Sequence, residues 1–371
     1  MSAPDVLNKA RNGGTDAGRR FRLPPALRVP AVLLAVAVMA VLPRIMNLYW
    51  IDVFVSIGLG VMLSLSLNVI LGQTGIFNMG HAAFYAVGAY VTAILNTRFG
   101  VPVLWLLPAA GAAAALFALV VARPIIHLRG DYLLVVTIGI VEIVRITLTN
   151  DPGGLTGGAN GIFGIARPEI FGMKIRKGID FYYLIWGGVG VTVLLFWWLH
   201  NSRFGRALSC IREDDIAAEG CGIDVAHYKL MAFVLGAFWA GMTGTLFAAK
   251  MTIISPSSFT FWDSVLLFAA VILGGGSLTG VILGAFLVFG LPEIFRDFAQ
   301  ARMLVFGLAL MIMMIIRPQG ILPPAPRRYD VSGFFASRRS GAAETWPAGG
   351  SALNGPDDGT DAKPAGGRGA S

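Results

Sequence analysis

Charged residues and cysteines are scarce in this chain. Only 13% of its 371 residues are Asp, Glu, Lys or Arg, whereas 56% are hydrophobic. A soluble globular domain needs more polar surface than this composition supplies. The chain has two cysteines, Cys210 and Cys221, and two thiols alone do not make a structural zinc site. The composition therefore indicates an integral membrane protein.

Motifs for ATP hydrolysis and for metal catalysis are missing from the sequence. No lysine follows a glycine, so the phosphate-binding loop GxxxxGK[ST] is not present. None of the four histidines begins an HExxH pattern, and no pairing of a nucleophile with a base emerges. We therefore predict a non-enzyme with no catalytic, metal or cofactor site. If ATP drives the protein, partner subunits must hydrolyse it.

Long apolar runs fill the region from residue 29 to residue 316. A helix needs roughly 20 apolar residues to cross a hydrocarbon core of about 30 Å. The runs lack the two-residue alternation of membrane β-strands, which favours helices over a barrel. Suitable runs lie near 29–48, 51–71, 76–97, 101–122, 132–149, 180–199, 229–250, 261–275, 278–293 and 301–316. We expect an all-α polytopic membrane protein with about ten transmembrane helices, the shortest of them re-entrant or tilted.

Lys and Arg near the ends of the predicted spans give the orientation. Such residues are retained on the cytoplasmic side. Alternate loops collect most of them on one face, which places both termini and the loop 202–228 in the cytoplasm, although basic residues at 174–177 fall on the other face. We predict a basic cytoplasmic N-terminus (1–28), a transmembrane domain (29–322) and a disordered cytoplasmic tail (323–371) rich in Gly, Ala, Ser and Pro.

The predicted cytoplasmic loop concentrates charge between two spans. Residues Cys210 to Glu219 are expected to form a short helix that ends at the glycines at 220 and 222. The spacing predicts a sparse apolar face made by Ile216, Gly220 and Ile223. The charged residues on the other face are Arg212, Glu213, Asp214, Asp215 and Glu219. This helix is either a solvated linker or a segment that docks into a groove on a partner.

Five polar residues within the predicted spans are candidates for the translocation path or its gate. Gln73, Asn78 and His81 lie in a glycine-interrupted stretch, where a broken helix can expose polar groups to a substrate. An ordinary hydrogen-bond cluster between helices is the alternative. Glu142 and Arg145 are three residues apart on one predicted helix and can neutralise each other. They either pair for structural reasons or line the path.

The segment SRFGRALSCIREDDIAAEGCGIDVAHYKLMAF, which starts at Ser202, resembles the cytoplasmic coupling loop of permeases of the branched-chain amino acid ABC importers, of the LivM type. The motifs LGQTGIFNMGHAAFYAVGAYV, RGDYLLVVTIGIVEIVRI, LTGGANGI, VILGGGSLTGVILGAFLV and RPQGIL resemble further parts of that family in the same order. The resemblance covers roughly residues 50 to 322 and implies an ABC importer permease fold. It also implies that the segment with Ala217, Ala218, Glu219 and Gly222 forms a coupling helix. We expect Arg212, Glu213 and Asp214 to take part in the same coupling.

The resemblance implies a bacterial inner-membrane permease subunit with several partners. These are a second, LivH-like permease, two cytoplasmic ABC ATPases and a periplasmic substrate-binding protein. The expected substrates are leucine, isoleucine and valine. Urea or short amides are an alternative cargo. A different class, an ion-coupled secondary transporter, would have to bind its driving ion at intramembrane carboxylates. Glu142, Asp52 and Asp263 are the candidates for that role.

Overall fold

Helices dominate the computed structural model of the protein. The structure describes residues 37–128, 130–170, 173–174 and 178–294, together with 304, 307–308, 311–312, 315–316 and 320–322. The predicted terminal segments 1–28 and 323–371 lie outside the described residues, as do parts of the predicted spans 29–48 and 301–316. The basic residues at 176 and 177 lie outside them as well.

The elements with defined ends alternate long helices with short connections. The helices are α1 (Leu48–Thr74), α2 (His81–Phe99), α3 (Val103–Ile125), α4 (Asp131–Thr149), α5 (Gly178–Asn201), α6 (Arg203–Glu213), α7 (Asp215–Gly220), α8 (Val225–Met251), α9 (Phe261–Gly274) and α10 (Leu278–Ile294). The strands are β1 (Ile162–Phe163), β2 (Glu169–Ile170), β3 (Met173–Lys174) and β4 (Ile253–Ile254). They form two antiparallel pairs, β1 with β4 and β2 with β3.

Helix α1 is the central helix of the bundle. Every residue from Ile57 to Thr74 is buried, because α5, α8, α9 and α10 all pack against it. A helix that is apolar on all sides is stable only when other helices or lipid surround it. The helix ends at Gly75, whose backbone is left-handed (φ 76°) and whose N–H donates to the Leu71 carbonyl.

Glycines allow helix α8 to lie close to its neighbours. A Cβ atom added to Gly88 of α2 would stand 2.3 Å from the Gly241 carbonyl oxygen of α8. A Cβ on Gly244 would stand 2.5 Å from the Tyr85 carbonyl oxygen. Small residues at such crossings let two backbones approach and gain dispersion energy, which drives helix association in membranes. Bulk at Gly88 would therefore force α2 and α8 apart.

The number of spans predicted from the sequence, about ten, is not confirmed. Six helical segments among the described residues are long and apolar enough to cross a membrane: Leu48–Thr74, Val103–Ile125, Asp131–Thr149, Gly178–Asn201, Val225–Met251 and Pro256–Gly274. The apolar helix α10 is shorter. The predicted span 76–97 begins only at His81, because the chain is not helical between Gly75 and Gly80.

The path of the chain shows which helix ends lie together at each end of the helical bundle. Helix α5 leads into α6 and α7, and α8 leads away from them, so the start of α5 and the end of α8 lie at the opposite end of the bundle. Arg212 of α6 contacts the last turn of α1, so α1 also begins at that opposite end. There the hydroxyl of Tyr49 donates to Glu293 near the end of α10. We name the two ends the α6–α7 end and the opposite end.

A glycine-rich loop, residues 150–161, is organised at the opposite end by one carboxylate. Asp151 Oδ1 accepts hydrogen bonds from the Thr156 N–H (2.7 Å), the Thr156 hydroxyl (3.0 Å) and the Gly157 N–H (3.1 Å). These hydrogen bonds lower the pKa of Asp151 below its ordinary value, and the bond from the Thr156 N–H has the largest effect. They do so because they favour the charged form of the carboxyl group. Strand β1 then joins this loop to the one that follows α8.

Candidate functional site

The charged loop folds as two helices with a sharp break between them. Asp214 is extended (φ −159°, ψ 114°) and its Oδ1 accepts from the N–H groups of Ile216 (2.8 Å) and Ala217 (3.1 Å). It therefore caps the N-terminus of α7, as aspartate commonly does. The prediction of one helix from Cys210 to Glu219 is wrong at this position. The predicted end is confirmed, since α7 stops at Gly220 and Gly222 has a left-handed backbone (φ 81°).

The apolar face predicted for this loop is wrong for Ile216 and Gly220, whereas Ile223 is partly buried and packs against the core. Ala218 is the buried residue of α7, whereas Ile216 is 71% exposed and Gly220 is exposed. Ile216 and Gly220 do share one side of α7, but that side faces outward, and the helix packs inward through Ala218. The exposed residues around α7 include Arg212, Glu213, Asp214, Ile216, Ala217, Glu219 and Gly222.

An ion pair holds α7 against the start of α8. Lys229 Nζ lies 2.5 Å from Asp215 Oδ2, and the side chains are 14% and 39% exposed. Stacking of Phe204 on Tyr228, with ring centroids 5.6 Å apart, ties the start of α6 to the same helix. The two short helices are therefore fixed to the bundle at several points, while the carboxylates of Glu213, Asp214 and Glu219 remain exposed.

Arg212 is exposed on α6 and also binds the end of the central helix. Its Nη1 donates to the Gly72 carbonyl oxygen at 2.7 Å. The last carbonyls of a helix have no partner within the helix and carry partial negative charge, so a guanidinium is a favourable partner for them. Arg212 is exposed, as predicted, and its guanidinium also binds a backbone carbonyl of the central helix.

Four glycines surround this contact, and we name them the glycine junction: Gly72, Gly275, Gly276 and Gly320. A Cβ on Gly72 would stand 3.3 Å from the Cα of Gly276, and one on Gly320 would stand 2.4 Å from the Cα of Gly275. The junction thus brings α1, the α9–α10 turn and residues 320–322 together without side chains between them. A Cβ on Gly276 would lie 3.5 Å from Arg212 Nη1, so the guanidinium lies directly over the junction.

Beyond the junction the chain runs as a non-helical segment, residues 75–80, before α2 begins. Three polar groups hold the segment and the start of α2 in place. The Met79 N–H donates to Thr137 Oγ1 at 3.2 Å, and the Ala82 N–H donates to Ser264 Oγ at 3.0 Å. His81 Nε2 lies 2.7 Å from Ser66 Oγ. Helices α1, α4 and α9 each supply one of these anchors.

The predicted polar residues Gln73, Asn78 and His81 are all buried in or beside this segment, at 6%, 0% and 0% exposure. Asn78 Oδ1 accepts a hydrogen bond from the Gly80 N–H at 2.8 Å, whereas His81 bonds to Ser66. Asn78 and His81 therefore have different partners. Gln73 Oε1, Asn78 Nδ2 and His81 Nδ1 have no hydrogen-bond partner among the described residues. A buried polar atom without a partner costs about 1–3 kcal/mol, so these atoms are places where a substrate or water would gain hydrogen bonds.

The other charged candidates are all paired. Arg145 Nε donates to Glu142 Oε2 at 2.9 Å, and both side chains are nearly 40% exposed on α4. The structure confirms that they pair. Asp263 accepts from the N–H and hydroxyl of Thr260 in a capping box. Asp52 lies 3.3 Å from Lys250 Nζ.

Sequence reasoning missed Ser66, Thr137 and Ser264, which anchor the buried segment. Serine and threonine are common inside membrane helices, where their hydroxyls usually bond to the preceding turn, so nothing marks these three by type. Ser264 is 182 residues from its partner Ala82. The break at Asp214 could have been predicted from the sequence, because aspartate is a preferred N-cap residue and can therefore mark the start of a new helix.

Comparison with known proteins places the chain in a family. The model of the family described as "Branched-chain amino acid transport system / permease component" matches residues 49–317. The high-affinity branched-chain amino acid transport system permease protein LivM of Escherichia coli K12 is 37% identical over 350 residues, which cover 87% of this chain and 79% of the relative.

More distant relatives include both permease types. The probable LivM permease of Methanocaldococcus jannaschii is 24% identical, covering 72% of this chain and 92% of that protein. The LivH permease of Escherichia coli K12 is 26% identical, covering 70% and 90%. No solved structure matches the chain significantly. The chain is a multi-pass membrane protein and belongs to the family of branched-chain amino acid transport system permeases.

Proposed function

We propose that this chain is the LivM-like permease subunit of an ATP-driven importer of leucine, isoleucine and valine. It would form the membrane channel with a LivH-like second permease and receive substrate from a periplasmic binding protein. The chain itself would need no cofactor, because two cytoplasmic ABC ATPases would hydrolyse the ATP. The match of the family model to residues 49–317 is the observation that carries the proposal.

The α6–α7 loop is the part that we propose to meet the ATPases. Its exposed surface combines the carboxylates of Glu213, Asp214 and Glu219 with the apolar side chain of Ile216. The surface around α7, with one apolar side chain among these carboxylates, suits a groove with basic walls and an apolar floor. The small residues Ala217, on the exposed side of α7, and Gly222, just after the helix, favour close approach of a partner, while Ala218 packs inward.

Arg212 gives the loop a route to the translocation path. Its hydrogen bond to Gly72 connects α6 to the end of α1, and the buried segment 75–80 follows directly. A movement of the loop would thus reach Gln73, Asn78 and His81 without passing through lipid-facing helices. Coupling of this kind requires that the contact differ in energy between the two states of the ATPases.

The orientation that fits this proposal has the α6–α7 end in the cytoplasm of a cell with the protein in its inner membrane. Arg203, Arg206 and Arg212 lie at that end, as the retention of basic residues predicts. The Ile321 N–H donates to the Leu273 carbonyl oxygen at 2.7 Å, next to the α9–α10 turn at the same end. This contact supports a cytoplasmic C-terminus, and the basic residues of 1–28 support a cytoplasmic N-terminus.

The alternative functions have less support. The curated relatives are named for branched-chain amino acids, which favours these over urea or short amides. An ion-coupled carrier would need a carboxylate ready to bind its ion. Asp52 and Glu142 each lie beside a basic side chain, and Asp263 caps a helix, so each of these three carboxylates already has a structural partner.

Uptake of labelled leucine in cells with and without the gene tests the proposal. Isoleucine and valine should compete with leucine, whereas urea should not. Depletion of ATP should abolish uptake, and an uncoupler that collapses the ion gradient without lowering ATP should leave it intact. Competition by urea would change the substrate, and dependence on the gradient alone would overturn the transporter class.

A further inference from the structure

A cavity of about 460 Å³ lies at the opposite end of the bundle. The first turns of α1, the start of α5 and the last turn of α8 form its walls, and Arg167 reaches it from the loop before α5. Its volume is within the range of roughly 300–1,000 Å³ that small-molecule sites occupy. The cavity lies far from the loop α6–α7, at the end where substrate would enter an importer.

One wall of the cavity carries opposite charges. The side chain of Lys250 is only 9% exposed, and its Nζ lies 3.3 Å from Asp52 Oδ1 and 2.7 Å from Ser56 Oγ. The side chain of Asp52 is 71% exposed. A buried ammonium is costly unless an opposite charge lies close to it. Here the neutralising carboxylate is exposed to solvent, so another carboxylate could take its position.

Most of the remaining lining is apolar, although Arg167 adds a second cation to it. Ile51 and Val55 of α1 and Phe181 of α5 line the cavity, and each is less than 9% exposed. An aliphatic side chain placed against them would leave water at a gain of about 25 cal/mol per Å² of buried apolar surface. The cavity therefore combines an ammonium, a carboxylate and an aliphatic surface.

We propose that this cavity binds a zwitterionic amino acid with an aliphatic side chain, as the first site that a released substrate occupies in this subunit. The substrate carboxylate would displace Asp52 from Lys250, the substrate ammonium would bind the freed Asp52 carboxylate, and the side chain would contact Phe181 and Val55. One ion pair within the protein is thereby exchanged for two with the ligand, and net charge is unchanged. A ligand that lacks the carboxylate cannot displace Asp52 from Lys250, and one that lacks the ammonium leaves the displaced Asp52 carboxylate without a partner.

This proposal rests on the proposed function, but it also requires that the cavity select ligands by their head groups. A purely structural role for the Lys250–Asp52 pair, bracing α8 against α1, would give the cavity no selectivity among head groups. Selectivity for a ligand that carries both charges is therefore the property to measure. Binding should be competed by leucine and not by leucinamide, which lacks the carboxylate, or by 4-methylvalerate, which lacks the ammonium.

The test uses the assembled transporter with its ATPases in nanodiscs and a diazirine analogue of leucine that keeps both head groups. Illumination should attach the analogue to peptides from α1 or α5 that line the cavity, and mass spectrometry locates the adduct. Leucine should suppress the labelling, while leucinamide and 4-methylvalerate should not. Labelling elsewhere in the chain, or equal suppression by all three compounds, would overturn the proposal.

Variants of the two partly buried lysines of α8 provide a matched comparison. Lys250→Met should lower labelling of the cavity about tenfold, and Lys250→Arg should retain most of it because the positive charge remains. Lys229→Met removes the ion pair at the other end of α8 and should leave cavity labelling unchanged. Equal labelling of Lys250→Met and the native protein, or an equal loss in Lys229→Met, would refute the site. Leucine uptake in cells tests the proposed function independently, so the two can fail separately.

Discussion

Replacing Arg212 by glutamine should uncouple ATP hydrolysis from transport while leaving the transporter assembled. Glutamine keeps much of the side chain's bulk but cannot supply a cation to the Gly72 carbonyl, which Arg212 Nη1 contacts at 2.7 Å. A hydrogen bond to a charged group contributes about 1.5–3 kcal/mol. Arg212 is an exposed residue, where solvent screens the charge, so the lower value of about 1.5 kcal/mol applies.

That energy sets the size of the expected effect. If the bond forms fully in only one of the two ATPase-coupled states, its loss changes their ratio about tenfold, since 1.4 kcal/mol corresponds to a factor of ten. In proteoliposomes with the ATPases and the binding protein, leucine uptake by Arg212→Gln should fall about tenfold. ATP hydrolysis should continue and should no longer rise when loaded binding protein is added.

Arg206 supplies the matched control, because it makes the same kind of bond in the same helix. Its Nη1 donates to the Asn201 carbonyl oxygen at the end of α5, at 3.1 Å, and does not reach the glycine junction. Arg206→Gln should therefore keep coupled transport. The reasoning would be refuted by equal losses in both variants, or by normal uptake in Arg212→Gln. Failure of Arg212→Gln to bind the ATPases would instead place Arg212 in the ATPase interface.

Three further predictions concern other parts of the chain. Glu219→Arg should leave the permease in the membrane but reduce leucine uptake severalfold, because it reverses a charge on the proposed docking surface. Gly88→Ala should lower the melting temperature of the purified protein, since its Cβ would stand 2.3 Å from the Gly241 carbonyl oxygen and overpacking costs about 1–3 kcal/mol. Gly190→Ala, with open space around it, should not. Asp151→Asn should speed hydrogen exchange of the loop 150–161 at neutral pH, because its amide accepts hydrogen bonds more weakly than the carboxylate.

Each of these predictions has a result that contradicts it. Normal uptake by Glu219→Arg at normal expression would show that the charge of Glu219 has no role in coupling to the ATPases. Equal melting temperatures for Gly88→Ala and Gly190→Ala would show that the helices separate freely at that crossing. Folding lowers the pKa of Asp151. The Asp151 carboxylate therefore stabilises the folded loop fully at pH values above its pKa in the unfolded protein, and this stabilisation is lost as pH falls through the lowered pKa of the folded protein. A loop that loosens between pH 6 and pH 8 would therefore contradict the assignment.

Much of the helical pattern could be predicted from the sequence, because lipid demands long apolar helices. Asp131–Thr149 and Phe261–Gly274 lie within one residue of the predicted runs 132–149 and 261–275. The predicted positions of helix ends were wrong where glycines are frequent. Residues 76–80 are apolar enough to extend a span, but Gly75 ends α1 with a left-handed backbone, and hydrogen bonds from distant helices hold the segment open.

The candidate site was predicted by residue type but not by arrangement. Gln73, Asn78 and His81 are buried, as polar residues with a role inside a membrane protein should be. The partner of Arg212, in contrast, lies 140 residues away, and a backbone carbonyl has no residue type that marks it. The roles assigned to the coupling residues and to the path remain predictions.

The contact made by residues 320–322 has a practical consequence for protein engineering. Gly320 lies on Gly275, the Ile321 N–H bonds to Leu273, and Ser277 Oγ donates to the Leu322 carbonyl oxygen at 2.5 Å. These three residues fasten the turn between α9 and α10 from outside. A fluorescent or affinity tag joined after Leu322 leaves that fastening intact, whereas a gene shortened to end before Gly320 exposes the glycine junction to water and frees the turn to move.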